Sequence, residues 1–300
     1  MINNRIRESL GDRVFNVVNL IFITVFFLIV AYPLYFVIIA SISDIDYVST
    51  GRVILYPIGV NIEGYRRAFA NNTIMSGYRN TIFYTVVGTL FNLVLTLPAA
   101  YALSKKELPG RAFLMGIFVF TMYFGGGMIP TYLLVKNMKL LDTWWVLILT
   151  SGVTCYNLII ARTFFSNGIP QELEEAAVID GCSRVRLFIS IVVPLSKALI
   201  AVLALYYGIA HWNSWFGGMI YLSSRAKAPL QLILRDILIE NQQMALDETG
   251  IGADAEALRL KLATLLKYCL IIISSAPVLI VYPFLQKYFN QGVMLGSVKG

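Results

Sequence analysis

Residues 170–182 read PQELEEAAVIDGC, and four carboxylates (Glu172, Glu174, Glu175 and Asp180) fall there between two long apolar runs. Pro170 suits the first turn of a helix, where its missing N–H is not needed. Glu172, Glu174 and Glu175 then sit near the positive end of the helix dipole. Ala176 and Ala177 thin the helix so that a groove in another protein could close around it. Asp180 and Gly181 end it, because glycine takes the positive φ that a sharp helix exit requires. The following SRVRLFIS starts a second helix that Pro194 should bend. From helix chemistry alone two readings stay open: a solvated loop with ordinary caps, or a short helix by which a partner pushes on the rest of the chain.

The surroundings are those of a membrane protein. Hydrophobic residues make up 58% of the 300 and charged residues only 14%, with a mean hydropathy of +0.71. A soluble globule of ordinary charge content does not have this composition. The expected fold class is all-α, a polytopic bundle of six transmembrane helices. Runs long enough to cross a bilayer cover Val14–Ser41, Thr81–Leu103, Ala112–Val135, Trp144–Phe165, Leu187–Ala210 and Leu262–Leu285. The third is interrupted by GGGMIP, Gly125–Pro130, a break tolerated only beside other helices or a water-filled cavity. Pro194, Pro277 and Pro283 should kink the last two. The polar start of the chain lacks the pattern of a cleaved signal peptide, so the first run is expected to be retained. The organisation expected is a tail over 1–13, a transmembrane domain over 14–288 with the linking loop at 166–186, and a second tail over 289–300.

Charge orients the bundle. Arg5, Arg7, Arg13, Lys105, Lys106, Arg111, Arg162, Arg184, Arg186, Lys287 and Lys299 fall in the tails and in the loops after the second and fourth runs. The positive-inside bias makes these segments cytoplasmic, with both termini on that side. The net charge of +7 then needs no nucleic acid to explain it. The opposite loops, Ile42–Asn80 and Asn213–Lys261, mix signs more evenly.

No catalytic constellation is present: there is no phosphate-cradling glycine loop with its lysine, no H-E-x-x-H and no G-x-S-x-G. The single histidine, His211, lacks a second to make a metal pair, and the three cysteines fit neither a disulfide framework nor a zinc spacing. Intramembrane ionisable residues are nearly absent. The chain is expected to bind no metal or cofactor itself, and either to conduct passively or to borrow energy from a partner.

EAAVIDGCSRVRLFISIVVP, residues 175–194, resembles the EAA loop of the membrane subunits of binding-protein-dependent ABC importers. The pattern E-A-A, three residues, G, nine residues, I-x-L-P is met by Glu175, Ala176, Ala177, Gly181, Ile191 and Pro194, with Val193 in place of leucine. Asp180, Phe188 and Pro194-Leu195 are similar to the sugar-importing branch, although Ala198 replaces its second proline. HWNSWF, the ending QKYFNQGVMLGSVKG and GGGMIPTYLLVKNMKLLDTWW resemble the maltose-type oligosaccharide branch, the last of them a subgroup handling polysaccharide-derived oligosaccharides.

The resemblance implies a permease subunit in a bacterial cytoplasmic membrane, paired with a second homologous permease. A dimer of separate ATPase subunits would use ATP and Mg, and an extracellular solute-binding protein would deliver the sugar. It assigns ATPase coupling to Glu175, Ala176, Ala177, Asp180, Gly181 and Pro194. It also assigns ATPase contact to the tail Gly296, Ser297, Val298, Lys299 and Gly300, where a frayed terminus is the plain alternative. Candidates for the sugar path are the aromatic and amide side chains Tyr123, Phe124, Tyr132, Trp212, Asn213 and Trp215. Aromatics near an interface are more often anchors of the chain in the membrane than ligands of a sugar. The polar segment at 240–259 could meet the binding protein or be a solvated excursion, and the loop around 55–69 is expected to form an amphipathic lid. The competing class is an ion-coupled secondary transporter that works without an ATPase.

Overall fold

A computed structural model describes residues 9–246, 261 and 263–283. Every regular element among them is helical. They fall into two compact units: residues up to Ala70 with Glu240–Ile273, and Asn71–Ile239 with those from Ser274 on.

In the first unit α1 (Leu10–Ser41) begins at a capping box, where Ser9 and Asp12 each accept from the other's backbone N–H at 3.2 and 3.0 Å. Its 32 residues make a rod of about 48 Å, and its apolar side chains from Leu10 to Leu34 are nearly all exposed. Only its end is buried: Ile39 and Ala40 form a small core with Val48 of α2 (Ile45–Ser49) and with Val53. α3 (Glu63–Ala70) is the expected amphipathic element, burying Gly64 and Ala68. Gly64 lies against Leu265 and Cys269 with no room for a Cβ. Tyr65 donates to Ser41 Oγ at 2.7 Å, and burial raises its phenol above the usual range.

The second unit is built on α4 (Asn72–Ser104), a 33-residue helix that Asn71 caps through the Thr73 amide. Down one face run Asn80, Tyr84, Gly88, Asn92 and Thr96, all buried and four apart in sequence. Residues at i and i+4 share a helix face, so this forms a polar ridge inside an otherwise apolar span. α5 (Arg111–Tyr123) and α6 (Met128–Asn137) meet at 115° across the glycine break, where Gly127 has φ +88°.

The expected fourth span, Trp144–Phe165, is not one helix. α7 (Val146–Leu149) and α8 (Cys155–Gly168) are separated by residues 150–154. The break is held from outside: Asn92 Nδ2 donates to the carbonyls of Ser151 and Gly152, and Tyr207 Oη accepts from Thr154 N at 3.4 Å. α8 has 14 residues, roughly 21 Å by helical rise, less than the ~30 Å of a hydrocarbon core. α9 (Gln171–Ile179) follows.

The expected fifth span, Leu187–Ala210, is also divided. α10 (Arg184–Leu187) passes through a π-helical stretch, Phe188–Val192, into α11 (Val193–Leu195). α12 (Lys197–Trp212) then leaves at 82°. The bend falls at Ser196, whose hydroxyl donates to the Val192 carbonyl at 2.7 Å. It forms although Ala198 stands where the sugar-importing pattern has its second proline. α13 (Trp215–Tyr221) and α14 (Leu230–Leu246) lead to α15 (Ala263–Pro283). α15 continues as helix through Pro277.

Among the described residues three helices (α1, α4 and α15) are long and apolar enough to cross a membrane, and each bent pair could supply one more. The six spans read from hydropathy, with a break expected only in the third, are therefore not reproduced one for one among the described residues. Hydropathy records how apolar a run is and says nothing of where its backbone breaks.

Candidate functional site

α9 is bracketed as its sequence suggests. Pro170 takes the capping position just before the first turn, with extended ψ of 133°, rather than a place inside that turn. At the other end the N–H of Cys182 bonds to the Ala177 carbonyl at 2.9 Å, and that of Gly181 to Val178 at 3.0 Å. With Gly181 at φ +74° this is a Schellman exit. Within the helix Gln171 donates to Glu175 at 2.7 Å.

The two alanines face opposite ways. Ala176 is exposed, whereas Ala177 is buried against the core that contains Leu103, Phe165 and Leu187. Ala177 is thus small because its own chain packs against it, which corrects the expectation that both alanines slim the helix for a partner. The exposed side carries Glu175, Ala176, Val178 and Ile179, and Ile179 is 85% exposed although fully apolar.

Glu174 points inward and forms an ion pair with Lys105, just past the end of α4, and that ammonium also lies 4.4 Å from the Tyr101 ring centre. Arg162 Nε donates to the Leu103 carbonyl at 3.2 Å, closing the same helix end. Beside α9 lies a cavity of about 430 Å³ walled by Tyr101, Lys105, Glu174, Glu175, Ile179 and Arg184. Of the coupling residues expected from sequence, Glu175, Ala176, Ala177, Asp180 and Gly181 lie together on α9 and its exit. Pro194 stands apart on α11, and the tail Gly296–Gly300 lies outside the described residues. Lys105 and Glu174 entered the sequence reading only as loop charge and as a helix-start acid. Nothing in the spacing connects positions 69 residues apart.

The opposite end of α4 is held by a polar knot. Asp142, itself at φ +52°, accepts from the amides of Ser223 and Ser224 at 3.2 and 3.1 Å and from Lys227 Nζ at 3.0 Å. The Ser224 amide first, and then the Lys227 ammonium, hold its carboxyl below the usual carboxylate range. Asn80 Nδ2 donates to the carbonyls of Ala226 and Ala228 at 2.8 and 2.9 Å, and Tyr84 Oη donates to that of Lys227 at 2.9 Å. Deeper along the ridge His211 Nε2 lies 2.7 Å from Asn92 Oδ1. Both Asn92 amide protons are directed at carbonyls, so the histidine nitrogen is the donor.

The sugar-path candidates scatter. Tyr123 is 82% exposed and Phe124 is exposed beside a stacked Phe120. Tyr132 stacks on Tyr221 at 6.4 Å. Trp212 is only 6% exposed, its indole N–H donating to the Ser274 carbonyl at 3.0 Å, and packs edge-on against Tyr78. It also lines an apolar cavity of about 630 Å³ with Thr85, Thr89 and Gly208. Trp215 is half-exposed under the Arg235 guanidinium, 5.1 Å away, and Asn213 donates to the Ile209 carbonyl of its own helix. Among the described residues no cluster of histidine, cysteine and carboxylate side chains could hold a metal ion.

Helices long and apolar enough to cross a membrane, two of the candidate spans sharply bent, are the architecture of an integral membrane protein. Residues 73–294 match the binding-protein-dependent transport system inner membrane component family, and the chain belongs to it. It is 41% identical, over 96% of its length and 99% of the relative's, to the polygalacturonan/rhamnogalacturonan transport system permease protein YtcP of Bacillus subtilis (strain 168). It is 39% identical to Protein LplC of the same organism, over 97% and 96% of the two chains. A crystal structure of a bacterial ABC transporter involved in import of the acidic polysaccharide alginate contains a chain matching it with TM-score 0.84 and 33% identity, covering 94% of this chain and 99% of that one. The all-α importer-permease fold expected from sequence is thereby established, and nothing favours the ion-coupled alternative.

Proposed function

We propose that this chain is one of two homologous permease subunits of an ATP-driven importer of oligosaccharides derived from an acidic polysaccharide. α9 is the element through which separate ATPase subunits, using ATP and Mg, drive it. The observation that carries the coupling reading is the pair of strongly exposed apolar side chains at the end of α9, Val178 and Ile179, on a helix fastened to the bundle through Ala177 and Glu174. Two adjacent exposed apolar side chains on a helix that is itself fixed from within suit a groove in a protein partner, and the inward contacts make the helix a rigid handle. Glu175, Ala176, Asp180 and Gly181 shape its surface and exit. Pro194 and Ser196 set the angle at which its motion reaches α12, and the tail Gly296–Gly300 adds a second ATPase contact.

In this reading α9, Lys105 and both termini are cytoplasmic, and the Asp142 knot faces outward toward an extracellular solute-binding protein. The substrate class is supported by the relatives that handle polygalacturonan, rhamnogalacturonan and alginate. Tyr123, Phe124 and Tyr132, beside the glycine break, remain the leading sugar-path residues of this reading, with Trp212, Asn213 and Trp215 at the far end of α12 behind them. The test is ATP-dependent uptake by proteoliposomes holding the complete complex. Ile179→Asp and Glu175→Lys should abolish uptake and the stimulation of ATP hydrolysis by liganded binding protein while leaving assembly of the two permeases intact. Stimulation unchanged in both variants would rule out α9 as the coupling element.

A further inference from the structure

Next to the outer knot lies a pocket of about 320 Å³ walled by Arg79, Asn80, Phe83 and Trp144. Phe83 and Trp144 meet edge to face at 5.5 Å and 79°, and Trp144 rests on the buried Tyr84 ring 5.7 Å away. The corner is rigid because its supports are fixed. Asn80, 2% exposed, has both amide protons on the Ala226 and Ala228 carbonyls, which leaves its Oδ1 as an acceptor. The loop bearing Trp144 is tied down two residues earlier by Asp142. Arg79 is exposed and, alone of the four, has nothing to bind: among the described residues no carboxylate or carbonyl meets its guanidinium. The one acid close in sequence to the pocket, Asp142, is already engaged by Lys227 and two amides.

From this arrangement we infer that Arg79, Asn80, Phe83 and Trp144 form a subsite for one carboxylate-bearing sugar ring, a uronate residue of the transported oligosaccharide. A pyranose offers a C–H face that stacks on an aromatic wall, hydroxyls that donate to an amide oxygen, and a carboxylate that a guanidinium fork holds with two parallel bonds. The volume is at the small end of ligand pockets, the size of a single ring. A lipid phosphate would also meet an unpaired arginine, since both ligands are anions, but it has no use for a right-angled aromatic corner or the Asn80 acceptor. The inference rests on the importer reading above and adds to it a residue-level determinant for acidic over neutral sugars.

The test uses the full-length chain, assembled with its partner permease and ATPase subunits in lipid nanodiscs. Quenching of tryptophan fluorescence is followed on titration with trigalacturonate, with maltotriose as the neutral comparison. Trigalacturonate should quench saturably, and Trp144→Phe should remove that signal. Arg79→Gln should weaken binding about tenfold, the loss of one charge-assisted bidentate contact, while Arg79→Lys should recover part of it. Because Arg79 is exposed and unpaired, neither variant should change assembly, which size-exclusion profiles check. Equal trigalacturonate affinity in the wild type and Arg79→Gln overturns the subsite. So does an Arg79-dependent signal that follows phosphatidylglycerol content of the nanodiscs and is indifferent to trigalacturonate. ATP-dependent oligosaccharide uptake that persists in either case leaves the importer reading standing. Arg79-dependent trigalacturonate binding without ATP-dependent uptake of any oligosaccharide sinks the importer reading and keeps the subsite.

Discussion

Lys105, one residue beyond α4, and Glu174, on the inward face of α9, form an ion pair that joins the longest helix of the second unit to the exposed helix beside it. Both side chains are largely buried, at 23% and 15% exposure, so removing one partner leaves the other charged group uncompensated. Tyr101 packs under the ammonium and limits where that group can move.

Motion of α9 should therefore reach α4 through this pair. Lys105→Met and Glu174→Gln should each reduce ATP-dependent uptake, with a coupling loss of about 0.5–2 kcal/mol. The exchange Lys105→Glu with Glu174→Lys should restore part of it. A double-mutant cycle on uptake rate, run beside basal ATP hydrolysis, measures the coupling. Additive effects of the two single changes would show that the pair transmits nothing.

Gly181 provides a second test, because its constraint is conformational and not steric. Its φ is +74° and nothing lies within 4 Å of where a Cβ would be. Gly181→Ala should cost roughly 1–2 kcal/mol, the price of a left-handed backbone for an L-residue, seen as a lower melting temperature of the complex. Gly181→Asn should cost less, since asparagine tolerates that region better. If α9 couples to the ATPase, both should lower uptake in the same order.

Residues whose signals are local were legible in sequence. Pro170 and Gly181 mark the two ends of α9, and the glycines at 125–127 mark the break between α5 and α6. The ridge Asn80, Tyr84, Gly88, Asn92 and Thr96 was missed, although its strict spacing of four lies in the sequence, because hydropathy averages it into the apolar run around it. The break at 150–154 was not visible, because what holds it open is Asn92, 59 residues away in sequence. Lys105 and Glu174 were hidden for the same reason. Ala177 was misjudged because the E-A-A pattern does not say which alanine faces the bundle.

The ridge makes its own prediction at Gly88. A Cβ there would run into the ring of His211, which is itself held by Asn92. Gly88→Ala should destabilise the second unit by about 1–3 kcal/mol through overpacking. His211→Ala in the same chain should relieve part of that cost despite losing the hydrogen bond to Asn92. Thermal unfolding of the two single variants and the double variant decides it, and purely additive losses would mean the contact is absent.

Asp142 sets the pH dependence of the outer knot. Its carboxyl titrates below the ordinary 3.8 because the amides of Ser224 and Ser223 and the ammonium of Lys227 all favour the charged form. A depressed folded-state pKa adds stability that is fully present above the unfolded value and disappears as pH falls through the lower folded one. The knot should therefore hold unchanged from neutral pH down to about 4 and loosen only below that, as the carboxylate takes up a proton and Lys227 loses its partner. Asp142→Asn should lower stability at pH 7 and flatten the acid limb of the profile. Asp142→Gly should flatten it too while relieving the φ of +52°, which separates the charge from the backbone strain. Melting temperatures measured from pH 7 downward in detergent, for the wild type and both variants, test the assignment. An acid limb in Asp142→Asn as steep as the wild type's would mean that another carboxylate governs it.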